Sequence, residues 1–399
     1  MTPERAVIVG ASHAGAQLAA NLRREGWSGE VVLIGDERGL PYHRPPLSKG
    51  YLAGKNGLDD LLIRGADFYE KQHIRLLNAT VEAIHRSAKR VSLSTGDTLT
   101  YTKLALCTGA RARRLPTPGV DLPGIHYLRT AADVELIRAA ATPGRRVVIV
   151  GGGYIGLETA ASLCSLGMNV TVLEATERVL ERVTAPEVSA FYTRIHRGEG
   201  VEIRTHALVE AFSGNGGVQE VVLADGESIP ADLVIVGVGV VPNTELASAA
   251  GLSVDNGIVI DDQARTSDPD IVAAGDCTSH TMARYGWRIR LESVSSAGEQ
   301  AKIAAATICG KHSAIAALPW FWSDQYDLKL QIAGLNAGYD ELLLSGDPSR
   351  DRDFSCFYFR EGELIAADCV NRPRDFMSSK RAISQQLRVD RSELLAGSI

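Results

Sequence analysis

The chain has 399 residues, 45% of them apolar and 23% charged, with a formal net charge of −6. That length exceeds one ordinary core and predicts two or three domains, and the composition excludes a disordered chain. The acidic balance argues against general nucleic-acid binding, which needs a basic face.

Residues 5–35 read as strand, glycine turn, helix and strand. The first strand, Ala6–Val9, starts so early that a signal peptide is not expected before it. The loop that follows is Gly10-Ala11-Ser12-His13-Ala14-Gly15, and the next strand, Val31–Ile34, runs into Gly35-Asp36. Strand, glycine loop and helix in this order make a dinucleotide site, with Gly10, Ser12, His13, Ala14 and Gly15 lining the phosphates and Asp36 as the ribose acid. Ser12 replaces the middle glycine and its hydroxyl is placed to donate to a phosphate. His13 reads as a solvent-exposed loop residue with no chemical role of its own. Val81–Ala83, Arg90–Leu93 and Leu104–Cys107 read as short strands, the last closed by Thr108-Gly109.

Arg146–Glu174 repeats the design. Gly151 permits the tight turn, Gly153 lets a pyrophosphate approach the backbone, and Gly156 lets helix and strand pack closely. Tyr154 and Ile155 open the helix, whose positive dipole end faces the phosphates. Glu174, at the end of the second strand, accepts hydrogen bonds from ribose hydroxyls and repels a 2′-phosphate, so NAD(H) is favoured over NADP(H). Glu158 falls on the first turn of the same helix; unless it meets a ligand it is an exposed acid stabilised by the dipole.

Val201–Arg204, Glu220–Leu223 and Leu233–Val236 continue as strands. The longest apolar run, Leu233–Val241, is far short of the ~18 residues of a membrane helix and reads as a buried strand. Val259–Ile260 and Ile271–Ala273 precede Gly275-Asp276, a helix is predicted over 295–309, and Pro319 marks a boundary. The remaining residues alternate apolar and polar (Leu328, Leu330, Ile332; Phe354, Phe357, Phe359), which predicts half-buried strands, with a helix near 375–387. The nine His show no metal-ligand spacing, so no metal site is expected. Cys107, Cys164, Cys277, Cys309, Cys356 and Cys369 form no Cys-x-x-Cys pair, which fits a cytoplasmic chain with reduced thiols.

The stretch Thr266–Asp276 resembles the second flavin fingerprint of the two-dinucleotide-domain flavoproteins, the glutathione-reductase structural class. That resemblance implies that Asp276 binds the ribitol of FAD. Disulfide reductases of the class carry reactive Cys after the first βαβ unit. Here the corresponding stretch, Pro41-Tyr42-His43-Arg44-Pro45-Pro46-Leu47-Ser48-Lys49, has none. It looks like the Arg-Pro-Pro-Leu-Ser-Lys segment of the NADH-dependent ferredoxin reductases that serve oxygenases. Gly151–Glu158, Val179–Pro186, Leu233–Gly239, Pro242-Asn243 and Pro319–Tyr326 are similar to the same family.

The resemblance implies an α/β fold of two Rossmann-like domains plus a small α+β C-terminal domain. The division is an FAD-binding part in two pieces (1–112 and 243–317), an NAD-binding part (113–242) and an interface domain (318–399). It implies that Arg44, Pro45, Lys49, Val81, Thr108, Gly109, Arg129, Gly275, Glu292, Ser293, Val294 and Trp322 also serve FAD, and that Gly239 serves NAD. Lys49 stands beside the flavin ring or pairs with Glu158, which touches the nicotinamide carboxamide, and Trp322 covers the flavin on its other side. For Lys49 the alternative is a solvated loop lysine, for Arg129 a hinge salt bridge, for Val81 the core, and for Trp320 and Trp322 core packing.

The expected activity is transfer of hydride from NADH to flavin N5, then of single electrons to a 2Fe-2S ferredoxin that feeds a haem monooxygenase or a dioxygenase. An acidic ferredoxin needs a local basic patch, for which Arg288, Arg290 and Lys302 are candidates. An NADH oxidase or peroxidase, a disulfide reductase, and an NADH-sensing redox flavoprotein are the alternatives.

Overall fold

The computed structural model describes residues 4–396. They form two compact units that interleave along the chain. One comprises the residues up to His43, Leu61–Arg111 and Val241–Pro319; the other comprises Arg44–Asp60, Ala112–Val240 and the residues from Trp320 onward.

The first unit is built on a parallel five-stranded sheet in the order Ile271–Ala273, Lys103–Leu106, Arg5–Val9, Glu30–Gly35, Ile74–Asn78. The strand order reverses beside Arg5–Val9, which puts a crevice at the carboxyl ends of Arg5–Val9 and Lys103–Leu106. Val7, Ile8, Val31–Ile34 and Leu104–Leu106 are buried on both faces, as a parallel sheet requires. The helix His13–Glu25 ends at Gly26, in the left-handed conformation, and packs against the helix Val294–Ile308. Asn243 ties the returning chain in. Its side-chain amide donates to the Thr108 carbonyl (2.8 Å), its carbonyl accepts from the Thr108 hydroxyl (2.6 Å), and its N–H donates to the Gly109 carbonyl (2.9 Å).

The second unit repeats the parallel design in the order Glu202–Arg204, Asn169–Leu173, Arg146–Val150, Leu233–Val236, Ile125–Tyr127. The apolar run is not one strand: Leu233–Val236 is strand, Gly237 and Gly239 break it, and Val240 and Val241 begin a second strand, Val240–Pro242. The same unit holds an antiparallel five-stranded sheet in the order Trp320–Gln325, Leu328–Gly334, Glu363–Val370, Phe354–Arg360, Glu341–Ser345.

This antiparallel sheet departs from the half-buried expectation: Phe354 through Phe359 are all buried. The helix Pro373–Gln385 covers one face. The helix Pro186–Gly198 lies against the other, where the Phe191 and Phe354 rings sit 4.8 Å apart and the Ala185 N–H donates to the Tyr358 hydroxyl (3.2 Å). With both faces covered, polar alternation disappears. The helices predicted at 295–309 and 375–387 fall at Val294–Ile308 and Pro373–Gln385, and Val201–Arg204 shortens to Glu202–Arg204. Among the described residues, no helix is long and apolar enough to cross a membrane.

Candidate active site

In the first unit, the chain turns between Val9 and His13 with Gly10 at φ 109°. A Cβ on Gly10 would lie 2.0 Å from the Cys107 carbonyl oxygen, and one on Gly15 would lie 1.9 Å from the Gly10 carbonyl oxygen. No side chain fits at either position, so the loop and the helix start press against the sheet edge, leaving backbone amides to face a ligand. Gly275 (φ 93°) closes on the same place: a Cβ there would lie 3.0 Å from that of Ala14. The Gly275 N–H donates to Gln300 Oε1 (2.7 Å), which ties the turn carrying Asp276 to the helix Val294–Ile308. An amide-lined helix N-terminus with a carboxylate beside it fits a dinucleotide pyrophosphate and a polyol chain.

Ser12 is the N-cap residue, but its hydroxyl accepts no bond from the first turn. His13 is not solvent-exposed. It is the first residue of the helix, 9% exposed, and its Nε2 lies 3.0 Å from His43 Nδ1. Burial, with the Arg64 charge, pushes His43 below the usual imidazole range. Asp36 is exposed, and the neighbouring Glu37 accepts from the Tyr42 hydroxyl. Val81 lies in the core. Glu292 pairs with Arg290 at 2.5 Å, and Ser293 caps the helix beginning at Val294 by accepting from the Ser296 N–H (3.2 Å). Of the docking candidates, Arg288 pairs with Asp255 (3.3 Å), Arg290 is only 13% exposed in its pair with Glu292, and Lys302 is exposed on its helix.

In the second unit, a Cβ on Gly151 would lie 2.4 Å from the Gly237 carbonyl oxygen, and one on Gly156 would lie 2.0 Å from the Gly151 carbonyl oxygen. Above Gly153 there is open space, with nothing within 4 Å of where a Cβ would stand. Glu174 Oε2 accepts from the Gly152 N–H (2.8 Å), and Oε1 accepts from the Thr176 N–H (2.9 Å) and hydroxyl (3.0 Å). A carboxylate has about four lone-pair sites, so one acceptor position remains on Oε2. The acid is thus locked under the glycine loop with capacity for a ribose hydroxyl. Gly239 has φ 95°, and its carbonyl accepts from the Arg113 N–H (2.9 Å). The half-buried Tyr154 ring lies 4.8 Å from Phe321, whereas Ile155 is 40% exposed.

Glu158 is the fifth residue of the helix Tyr154–Ser165, beyond its first turn, and is 4% exposed. The exposed-acid alternative therefore fails. Three donors converge on its carboxylate: Ser48 Oγ and Lys49 Nζ, each 2.6 Å from Oε2, and Ser323 Oγ, 2.6 Å from Oε1. Pro45-Pro46-Leu47-Ser48 is a single 3₁₀ turn whose prolines pre-set φ, and Lys49 follows directly, its Nζ also donating to the Pro45 carbonyl (3.1 Å). Ser162, one turn on from Glu158, anchors this segment by donating to the Ser48 carbonyl (2.8 Å). Arg44 Nη1 donates to the Arg129 carbonyl (2.7 Å), and Asp133 accepts from the Arg129 N–H (3.0 Å). Trp322 stacks on Trp320 with centroids 5.5 Å apart.

Sequence reasoning missed Ser48 and Ser323. Each stands next to a residue it did single out, Lys49 and Trp322, but a serine carries no periodic signal. A buried ion pair is weak evidence of stability, because desolvation consumes most of the attraction. Asp368, also fully buried, shows the cost of lesser compensation. It takes one hydrogen bond, from the Tyr358 hydroxyl at 2.5 Å, and burial pushes it up to about 7.

All six thiols are displaced upward, with burial as the leading cause. A nucleophilic cysteine needs the reverse shift. Among the described residues, no cluster of His, Cys, Asp or Glu could hold a metal.

Residues 4–301 match the family model described as pyridine nucleotide-disulphide oxidoreductase, and residues 320–398 match the one described as reductase C-terminal. The chain is 47% identical to putidaredoxin reductase of Pseudomonas putida, covering 97% of this chain and 93% of that one. It is 45% identical to a ferredoxin–NAD(P)(+) reductase of Sphingomonas, covering 96% and 94%. The crystal structure of a covalent putidaredoxin reductase–putidaredoxin complex superimposes with a TM-score of 0.95 at 45% identity, covering 99% of both chains. Two glycine-loop sheets, the acid locked beneath the second loop and these likenesses together place the chain in the pyridine nucleotide-disulphide oxidoreductase family.

Proposed function

We propose that the protein is an NADH-dependent ferredoxin reductase that binds FAD and NADH and passes electrons to a 2Fe-2S ferredoxin serving a haem monooxygenase or a dioxygenase. The observation that carries this reading is Lys49. It occupies the segment where disulfide-reducing relatives carry reactive Cys, and it ends on a buried carboxylate of the nicotinamide-loop helix. The upward shift of every thiol supports it against the disulfide reductase and peroxidase alternatives.

FAD, when bound, supplies the capacity to take up two electrons as hydride and release them singly, which no side chain provides. In this reading Gly10, Ser12, His13, Ala14 and Gly15 hold its pyrophosphate. Asp36 and Asp276 hold its ribose and ribitol. Arg44, Pro45, Lys49, Val81, Thr108, Gly109, Arg129, Gly275, Glu292, Ser293, Val294 and Trp322 complete the site. Gly151, Gly153, Tyr154, Ile155, Gly156 and Gly239 hold the nicotinamide nucleotide, with Glu174 accepting from its ribose. Glu158 accepts from the carboxamide, and Lys49 holds that carboxylate in place. Arg288, Arg290 and Lys302 steer the ferredoxin. The FAD-binding part comprises 1–112 with 243–317, the NAD-binding part 113–242, and the interface domain 318–399. The chain works in the cytoplasm.

The direct test mixes purified yellow protein, NADH and a panel of 2Fe-2S ferredoxins without oxygen. At least one ferredoxin is reduced catalytically; NADH consumption that yields only peroxide or water would instead assign an oxidase. Glu174→Arg lowers the NADH-over-NADPH ratio of kcat/KM by roughly 10- to 100-fold, the scale of a hydrogen bond to a charged group. An unchanged ratio removes Glu174 from the ribose site. Iodoacetamide, applied before or after reduction by NADH, leaves ferricyanide turnover within about twofold, since four of the thiols are buried and the half-buried Cys164 and Cys309 are also held protonated. Inactivation only after reduction would restore a thiol mechanism.

A further inference from the structure

The strand Trp320–Gln325 divides its side chains between two faces. Trp320 and Trp322 stack on one, with Phe376 (5.9 Å between centroids) and Lys380 (4.7 Å from the ring) against Trp320. On the other, Phe321 meets Tyr154, Ser323 meets Glu158 and Gln325 meets His196. From Glu158 outward the polar contacts form one file. Gln325 Nε2 lies 3.2 Å from Ser323 Oγ, His196 Nε2 lies 2.8 Å from Gln325 Oε1, and the Tyr326 hydroxyl lies 3.2 Å from His196 Nδ1. Ser323, Gln325 and His196 are each no more than 1% exposed.

The file can be ordered in only one direction. Ionised Glu158 only accepts, so Ser323 gives it its one proton. The Ser323 oxygen then accepts from the Gln325 amide, which turns the amide oxygen toward His196. That oxygen also only accepts, so His196 carries its proton on Nε2 and leaves Nδ1 to accept from Tyr326. Burial pushes His196 down to about 4, so the ring is neutral, as this tautomer requires. Tyr326 holds its place at φ 56°, a region disfavoured for an aromatic residue. Every donor in the file points toward Glu158, and hydrogen bonds aligned in this way reinforce one another. An amide link in the middle makes the file an orienting device and not a proton path.

We propose that Ser323, Gln325, His196 and Tyr326 are positioning residues for NADH oxidation: a one-way hydrogen-bond file that fixes the plane of the Glu158 carboxylate. The proposal rests on the reading that Glu158 meets the nicotinamide. The terminal torsion of a glutamate is broad, so a carboxylate held on Oε2 alone samples many planes. With Oε1 held as well, it presents one.

The test is a double-variant cycle in the FAD-loaded enzyme, with ferricyanide as acceptor. Gln325→Met keeps the length and removes both polar atoms. It lowers kcat/KM for NADH by up to about tenfold, the scale of one neutral hydrogen bond, while reoxidation of the reduced enzyme by ferricyanide keeps its rate. Glu158→Gln alone also lowers kcat/KM, and adding Gln325→Met to it costs nothing further, because no charge remains to be aligned. If Glu158→Gln leaves NADH kinetics unchanged, the reading of Glu158 itself falls. If Glu158→Gln impairs them but the two losses multiply, or Gln325→Met lowers only the melting temperature, the positioning role is overturned. Should Gln325→Met fail to fold, Tyr326→Phe at the outer end completes the same cycle. It gives a smaller loss that likewise vanishes in the Glu158→Gln background, and a loss that persists there overturns the proposal.

Discussion

A charged carboxylate that is 4% exposed must be compensated from all sides, and in this protein Glu158 gathers three distant parts of the chain to achieve that. A proline-started turn brings Ser48 and Lys49, a glycine-loop helix brings Glu158, and the first strand of the antiparallel sheet brings Ser323. Removing one partner of a buried pair costs about 3–5 kcal/mol, whereas an apolar replacement of both is often neutral. Stability alone would therefore favour replacing the pair. The proposed function accounts for the pair by chemistry: in that reading it sets a fixed negative group beside the nicotinamide.

The two glycine loops solve one steric problem in the same way. In each, the first glycine presses on the carbonyl of the neighbouring strand's end, and the third presses on the carbonyl of the first. They differ at the middle position, where Ser12 stands in one loop and the open Gly153 in the other. They differ again beyond the second strand. Glu174 is locked under its loop by Gly152 and Thr176, while Asp36 is exposed.

Much of this was legible in the residues. Steric glycine requirements leave a fixed spacing, so both loops and their flanking strands could be read directly, and the segment without Cys at Pro41–Lys49 separated the chain from thiol-dependent relatives. Other features depend on tertiary neighbours. His13 was expected in solvent and is buried against His43, because the exposure of a loop residue is decided by what packs over it. The strand Phe354–Arg360 was expected to be half-buried, and helices on both faces cover it. Ser48 and Ser323 gave no signal, because their role comes from convergence on one carboxylate and not from any local pattern.

The central claim is that Lys49 fixes the Glu158 carboxylate in the position that NADH oxidation needs. Anaerobic rapid mixing of FAD-loaded enzyme with NADH measures this directly as the loss of the flavin's visible absorbance. In Lys49→Met, which leaves the carboxylate without its cation, the account expects that loss to slow by roughly 10- to 100-fold while FAD stays bound, the scale of a hydrogen bond to a charged group. A Lys49→Met enzyme that keeps its flavin and is reduced at the native rate would contradict it.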